Sequence, residues 1–161
     1  MKNISIKISD LRSAQQDAQQ CDYVVSILNP GAIVPKFNCL HHVEVFRDGY
    51  HIVDNYYLTP QNIHRLLNFG AQNFKSNDNI LVHCHYGVSR SPAMGILYYI
   101  QVGFSPEDAF NRISDIRSKM MPNPTIIRYG DEIFGLKNEL NNQYLNFVAK
   151  TREQQKKKRI L

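Results

Sequence analysis

The stretch ILVHCHYGVSRSPAMGILYY, residues 80–99, changes character twice within twenty positions. With Asn79 before it, NILVH (79–83) is a short apolar run of strand length. Seven residues, Cys84 to Arg90, then form a polar loop with Gly87 at its middle. Ser91 and Pro92 open a new segment whose apolar residues continue as a helix through about Gln101, proline being at home in a first helical turn. A strand leading through a short loop into a helix is the repeating unit of a parallel α/β sheet. In such sheets ligands bind beyond the carboxyl ends of the strands, next to helix amino ends. The loop 84–90 occupies that place.

The rest of the chain fits the same architecture. Ile4, Ile6 and Ile8 alternate with polar residues and read as a half-buried strand, after which SDLRSAQQDAQQ reads as a short helix capped by Ser9 or Asp10. YVVSIL (23–28) is a continuous β-branched run suited to a central strand. NPGAIVP is a loop, and HHVEVF (41–46) alternates again as a third strand. Thr59 and Pro60 then cap a helix whose apolar face carries Ile63, Leu66, Leu67 and Phe74. Ser105 and Pro106 start another, with Glu107 and Asp108 at the end the helix dipole favours. A last helical region covers about 124–149, with interruptions around Gly130 and Gly135. The expectation is a single α/β domain over 1–149, a largely parallel sheet of four to five strands flanked by helices, followed by a basic tail over 150–161.

Composition narrows the setting. With 161 residues, 43% hydrophobic and 20% charged, the chain suits one ordinary globular core. No apolar run approaches the length of a membrane span, and the opening MKNISIKISD alternates where a secretion signal would be a solid apolar block. Cys21, Cys39 and Cys84 are too few and too scattered for a disulfide framework, so a soluble protein of the cytoplasm is expected. Of 19 Lys/Arg and 14 Asp/Glu, six and one fall in KTREQQKKKRIL (150–161), and the other 13 of each sign cancel. The net +5 therefore belongs to the tail, a solvated charge run that offers at most a weak contact for an anionic surface. No nucleic-acid partner is expected of the neutral domain.

Chemistry is concentrated in the loop. Gly87 permits a tight backbone in which successive N–H groups converge on one point, and such a nest beside a helix amino end holds a tetrahedral anion. Arg90 adds a planar fork for two oxygens of a phosphate. The same positive field favours the thiolate of Cys84 at its base, which turns a phosphate seat into a nucleophile's setting. Neither metal nor cofactor is called for. His41-His42 and His83/His85 are not spaced as ligand pairs.

HCHYGVSRS (83–91) resembles the His-Cys-x-x-Gly-x-x-Arg-Ser/Thr signature of the cysteine-dependent protein tyrosine phosphatases, and with LVHC before it and SRSPA after it the dual-specificity branch in particular. Five constrained positions match by chance on the order of once in ten million starts, so coincidence is set aside. The resemblance extends over CDYVVSILNP, VEVFRD, LTPQNIHRLLNF and PNPTIIRYGDEIFG, and the compact length is similar to small bacterial-type members. It implies a phosphatase in which Cys84 attacks phosphorus, while Arg90 and the amides of His85, Tyr86, Gly87, Val88, Ser89 and Arg90 hold the equatorial oxygens. His83 would orient the loop from behind, or be a buried histidine without a kinetic role. Ser91 would assist expulsion of the sulfur, cap the helix, or do both. Asn123 would brace the loop or merely begin a helix.

The leaving oxygen needs a proton from a carboxylic acid on another loop. Asp48, which closes HVEVFRD, is preferred to Asp54, although the segment 48–59 is long for this branch. The implied substrate is a protein or peptide bearing phosphotyrosine, with phosphoserine or phosphothreonine also admitted. A phosphoinositide or RNA 5′ phosphate is the second reading, weakened because no lysine stands between Cys84 and Arg90. A silent phosphate-binding module is the third.

Overall fold

The structure is a computed structural model describing residues 1–49, 52 and 54–160. Four strands, β1 (Ser5–Ser9), β2 (Tyr23–Leu28), β3 (Leu40–Val45) and β4 (Asn79–His83), pair in the order β1-β4-β2-β3, and all three pairings are parallel. Burial follows position in that order. β2 and β4 lie inside the sheet and are covered on both faces, as their largely apolar sequences require. β1, at an edge, buries Ile6 and Ile8 while Ser5 and Lys7 face solvent.

Register sorts the side chains. Val25, Ile27, Ile80 and Val82 enter the main core, whereas Val24 and Leu81 enter a small one on the opposite face, with Ala14, Ala18 and Phe37. The small core is roofed by α1 (Ala14–Asp17) and a 3-10 turn, Ala18–Gln20. This first helix is shorter than the sequence suggests, and neither expected residue caps it. Ser9 still belongs to β1, and the Asp10 carboxylate accepts the Ser13 N–H at 2.8 Å, fixing the turn that precedes the helix.

The main core lies under α2 (Pro60–Asn73), α3 (Arg90–Gln101), α4 (Pro106–Ile116), α5 (Pro124–Phe134) and α6 (Glu139–Ile160). Thr59 and Ser105 stand where the sequence puts the caps of α2 and α4, each before a first-turn proline. Every residue of α3 from Arg90 to Tyr99 is buried, so this apolar helix is the axis on which the others pack.

Gly130 does not interrupt its helix. It lies inside α5, where a Cβ would collide with Leu97 of α3, so it is present for close approach. The break comes at Gly135, whose φ of +64° ends α5 in the left-handed conformation glycine favours. Beyond it the buried Asp131 accepts the N–H groups of Asn138, Leu140 and Asn141, which fixes the start of α6 against α5. The last helix, expected to end near 149, continues as α6 through the basic run to Ile160, with residues 152–160 exposed. Among the described residues no helix is long and apolar enough to cross a membrane.

Candidate active site

His83 ends β4 and the loop 84–90 leaves the carboxyl edge of the sheet to enter α3. The conformation of this loop is decided by where its carbonyls go. His85 O accepts from Leu11 N at 3.1 Å, Val88 O from Met121 N at 2.8 Å, and Ser89 O from Asn123 N at 3.1 Å. Tyr86 O and Gly87 O are both taken by the Arg117 guanidinium, at 3.0 and 2.9 Å. Five successive carbonyls are thus drawn outward by neighbouring elements. All peptides here are trans, so each outward C=O turns the following N–H the opposite way. The N–H groups of Tyr86 through Arg90 therefore form the inner lining.

Gly87 makes the curvature possible. Its φ is +64°, and a Cβ there would stand 2.8 Å from Ser9 O and 2.7 Å from Arg117 Nη2. Arg117 was not singled out by the sequence, since an arginine closing α4 thirty positions away carries no local sign of this contact.

Cys84 lies at the base, 2% exposed, its Sγ 3.2 Å from Ser91 Oγ. Arg90, the first residue of α3, is also 2% exposed. Its Nη1 donates to Asn29 Oδ1 and to Phe46 O, both at 2.8 Å, which locks the guanidinium in place. Its Nε is buried and has no hydrogen-bond partner among the described residues. A buried, unpartnered cationic donor needs an anion to complete it. Burial lowers the pKa of Arg90, and the acidic groups of Cys84 and Asp48 work in the other direction.

Adjacent residues of a strand face opposite ways, so His83 points into the small core while Cys84 points into the main one. His83 Nε2 lies 2.5 Å from Ser26 Oγ, which in turn is 2.7 Å from His41 Nε2. His83 Nδ1 approaches Cys84 O at 3.4 Å. Burial lowers the His83 pKa to about 4, so the ring is neutral at physiological pH. His85 turns its ring away to Asn29, whose N–H it accepts at 3.2 Å, and Tyr86 stands exposed at the rim.

Of the two aspartates, only Asp48 reaches the loop. Its Oδ1 accepts from Ser89 Oγ at 2.8 Å and from Asn123 Nδ2 at 2.7 Å. Asp54 forms an exposed ion pair with Arg47 at 2.7 Å and accepts the Tyr56 N–H. Asn123 begins α5, its Oδ1 accepting from Thr125 N and Ile126 N; its side-chain amide donates to Asp48 and not to the signature loop, which Asn123 meets through its backbone N–H on Ser89 O. Cys21 and Cys39 precede β2 and β3 at the amino edge of the sheet, a full strand length of about 20 Å from Cys84. Neither can form a disulfide with it.

The arrangement of nucleophile, anion seat and carboxylate has known relatives. The family described as dual specificity phosphatase, catalytic domain, matches residues 7–129. The chain belongs to this family. Over 68 residues it is 38% identical to the rat (Rattus norvegicus) phosphatidylglycerophosphatase and protein-tyrosine phosphatase 1. That match takes in 42% of this chain and 35% of the relative, so the chain spans about a third of that protein's length. Among solved structures, the human tyrosine phosphatase-like serine/threonine/tyrosine-interacting protein has the same fold at a TM-score of 0.61 and 19% identity, over 83% of this chain and 93% of that one. Human DUSP28 matches at 0.59 and 16% identity, over 90% and 94%.

Proposed function

We propose that the protein dephosphorylates phosphotyrosine in proteins, and phosphoserine or phosphothreonine besides, by passing the phosphoryl group through Cys84. The observation that carries this reading is the set of outward carbonyls of residues 85–89, which leaves five N–H groups and the Arg90 Nε around the sulfur. Donors fixed in advance act on the charge of the transferring phosphoryl group without reorganising.

In the first step a P–S bond forms as the P–O ester bond breaks. Both donors to Asp48 go to Oδ1, so the proton it delivers to the leaving oxygen is carried on Oδ2. In the second step water attacks phosphorus, Asp48 takes its proton, and the P–S bond breaks to release inorganic phosphate. The departing sulfur is met by the Ser91 hydroxyl. His83 and Asn123 touch neither phosphate nor leaving group; they position the loop and the acid.

The test is turnover of para-nitrophenyl phosphate and of a phosphotyrosyl peptide by the purified chain. Steady hydrolysis is expected, with none left in Cys84→Ser. Arg90→Lys, which replaces the fork by a point charge, should lower kcat/KM on the order of a hundredfold. Turnover surviving Cys84→Ser would overturn the mechanism, and tight phosphate binding without turnover would make the protein a silent module.

A second reading, hydrolysis of a phospholipid phosphomonoester, is favoured by one observation: the rat relative's name includes an activity on a phospholipid. Vesicles carrying phosphatidylglycerophosphate decide between the two when offered beside the phosphopeptide.

A further inference from the structure

A groove of about 790 Å³ opens beside the active site, and the mechanism above makes no use of it. Its inner end is marked by Gly49 and Pro124, the residues that follow Asp48 and Asn123. Those two neighbours are themselves joined at 2.7 Å, so the groove begins one residue from the acid. From there it runs between the start of α2 and the start of α5 to α6, where Leu145 forms part of its far wall while 62% exposed. Tyr57 and Tyr129 supply aromatic surface, and Gln61, Thr125 and Arg128 supply polar groups. A concave, mostly apolar slot of this size with a few polar groups is the usual form of a recognition site.

We propose that this groove is a specificity subsite for a phosphopeptide, taking a large apolar side chain that flanks the phosphorylated residue. The proposal rests on the reading of the protein as a protein phosphatase and adds to it a sequence preference. Extended peptide advances ~3.3 Å per residue, so a phosphoresidue seated over Cys84 delivers its neighbours past Asp48 and into the slot. Charge argues in the same direction. Among the described residues the lining holds no carboxylate, and its cation, Arg128, is already paired with Glu132 at 3.4 Å, so an apolar neighbour is buried against apolar surface while the ammonium of a lysine would lose water there.

Two features favour a peptide over an acyl chain. Gln61 and Thr125 can hydrogen-bond a peptide but would gain no partner from hydrocarbon. The outer part of α6, residues 150–160, has one large apolar side chain, Ile160, and so lacks the apolar face by which a basic helix lies in a membrane surface.

Three substrates test this: para-nitrophenyl phosphate, which carries no flanking residue to place in the groove, and two phosphotyrosyl peptides whose flanking residues are leucine in one and lysine in the other. Wild-type protein should prefer the leucine peptide by about tenfold in kcat/KM, the effect of burying one such side chain. Leu145→Glu, at an exposed position, should abolish that preference by raising KM while leaving para-nitrophenyl phosphate hydrolysis as a measure of folding and chemistry.

Equal rates on the two peptides, or equal loss on both in Leu145→Glu, would overturn the subsite. So would a phosphatidylglycerophosphate vesicle that outcompetes both peptides and is itself lost in Leu145→Glu, since the groove would then hold an acyl chain. Failure of wild-type protein on every substrate, para-nitrophenyl phosphate included, would instead sink the phosphatase reading.

Discussion

Two loops meet over Cys84, and they are held in opposite ways. In the loop 84–90 each carbonyl from His85 to Ser89 is bound from outside, by Leu11, Arg117, Met121 or Asn123, and the guanidinium of Arg90 is tied to Asn29 and Phe46. Beyond Phe46, the described residues of 47–57 reach that loop and its neighbour Asn123 through one carboxylate oxygen, Asp48 Oδ1, and their other polar contacts are local: Arg47 with Asp54, Tyr56 N with Asp54, Arg47 N with Tyr56 O. The difference matches the chemistry proposed for each. Holding a trigonal array of oxygens needs donors that do not move. Delivering a proton needs one carboxyl at the right distance, and a long exposed segment is sufficient for that.

The largest expected effect breaks the comparison at its weaker member. Asp48→Asn keeps the shape and the contacts to Ser89 and Asn123 but has no proton to give. Turnover of tyrosyl or alkyl phosphates should fall about a hundredfold, and turnover of an ester with a very good leaving group far less. Asp54→Asn should change either rate by no more than a few-fold, because Asp54 is paired with Arg47 away from the sulfur. A reversed pattern would transfer the acid role to Asp54 and with it the whole account of this segment.

The sequence shows these two loops unequally. The signature loop is legible because its residues are consecutive and each is chemically constrained: Cys84 to attack, Gly87 to curve, Arg90 to grip. What secures it is not legible. Arg117 closes a helix, Asn29 stands in an ordinary Asn-Pro-Gly turn, and Ser26 is a polar position in an apolar strand. Each acquires its function from a contact across thirty to sixty residues.

Alternation in HHVEVF likewise says that two faces differ without saying which is covered. Glu44 proves to be the buried one and Val45 the exposed one. Burial alone would raise the Glu44 carboxyl, but hydrogen bonds from His42, Arg65 and Asn62 overcome it and bring the pKa to about 2. The α/β class, the strands and most helix starts were readable because periodicity and capping are local. Of the two interruptions expected around Gly130 and Gly135, only the second is a break, because close helix packing and helix breaking both select glycine.

A smaller effect sharpens the comparison at its stronger member. Arg117 pins the carbonyls of Tyr86 and Gly87 from outside and never meets substrate, so it is a positioning residue. Arg117→Met should loosen two of the five inward N–H groups, lowering kcat and weakening competitive inhibition by inorganic phosphate together, each by about tenfold. Arg117→Lys, able to reach one carbonyl, should recover part of both. A residue that served stability alone would shift the thermal midpoint and leave the phosphate inhibition constant of the folded fraction unchanged.

The effect with the least consequence for turnover is one of stability against pH, and again the two loops should part. His83, behind the signature loop, has a folded-state pKa of about 4 against an ordinary value of 6.5. Between those values the unfolded chain binds a proton that the folded chain refuses, so stability falls as pH drops through this window and levels off below it. The shift corresponds to roughly 3 kcal/mol. His41 and His85 are also lowered by burial and add to the decline with the same sign. Glu44 acts in a separate, more acidic window: its contribution is present above 4.5 and disappears as pH falls toward 2. Denaturant midpoints measured from pH 7 to pH 4 should therefore decline less steeply in His83→Asn than in the parent chain. Asp54→Asn should reproduce the parent's slope, because hydrogen bonding to Arg47 holds the Asp54 pKa below its usual value in an exposed pair that titrates outside this range. Parallel curves for the parent and His83→Asn would mean that the ring behind Cys84 accepts its proton while the loop stays folded, and the signature loop would then be no more rigid at its root than the segment that carries Asp48.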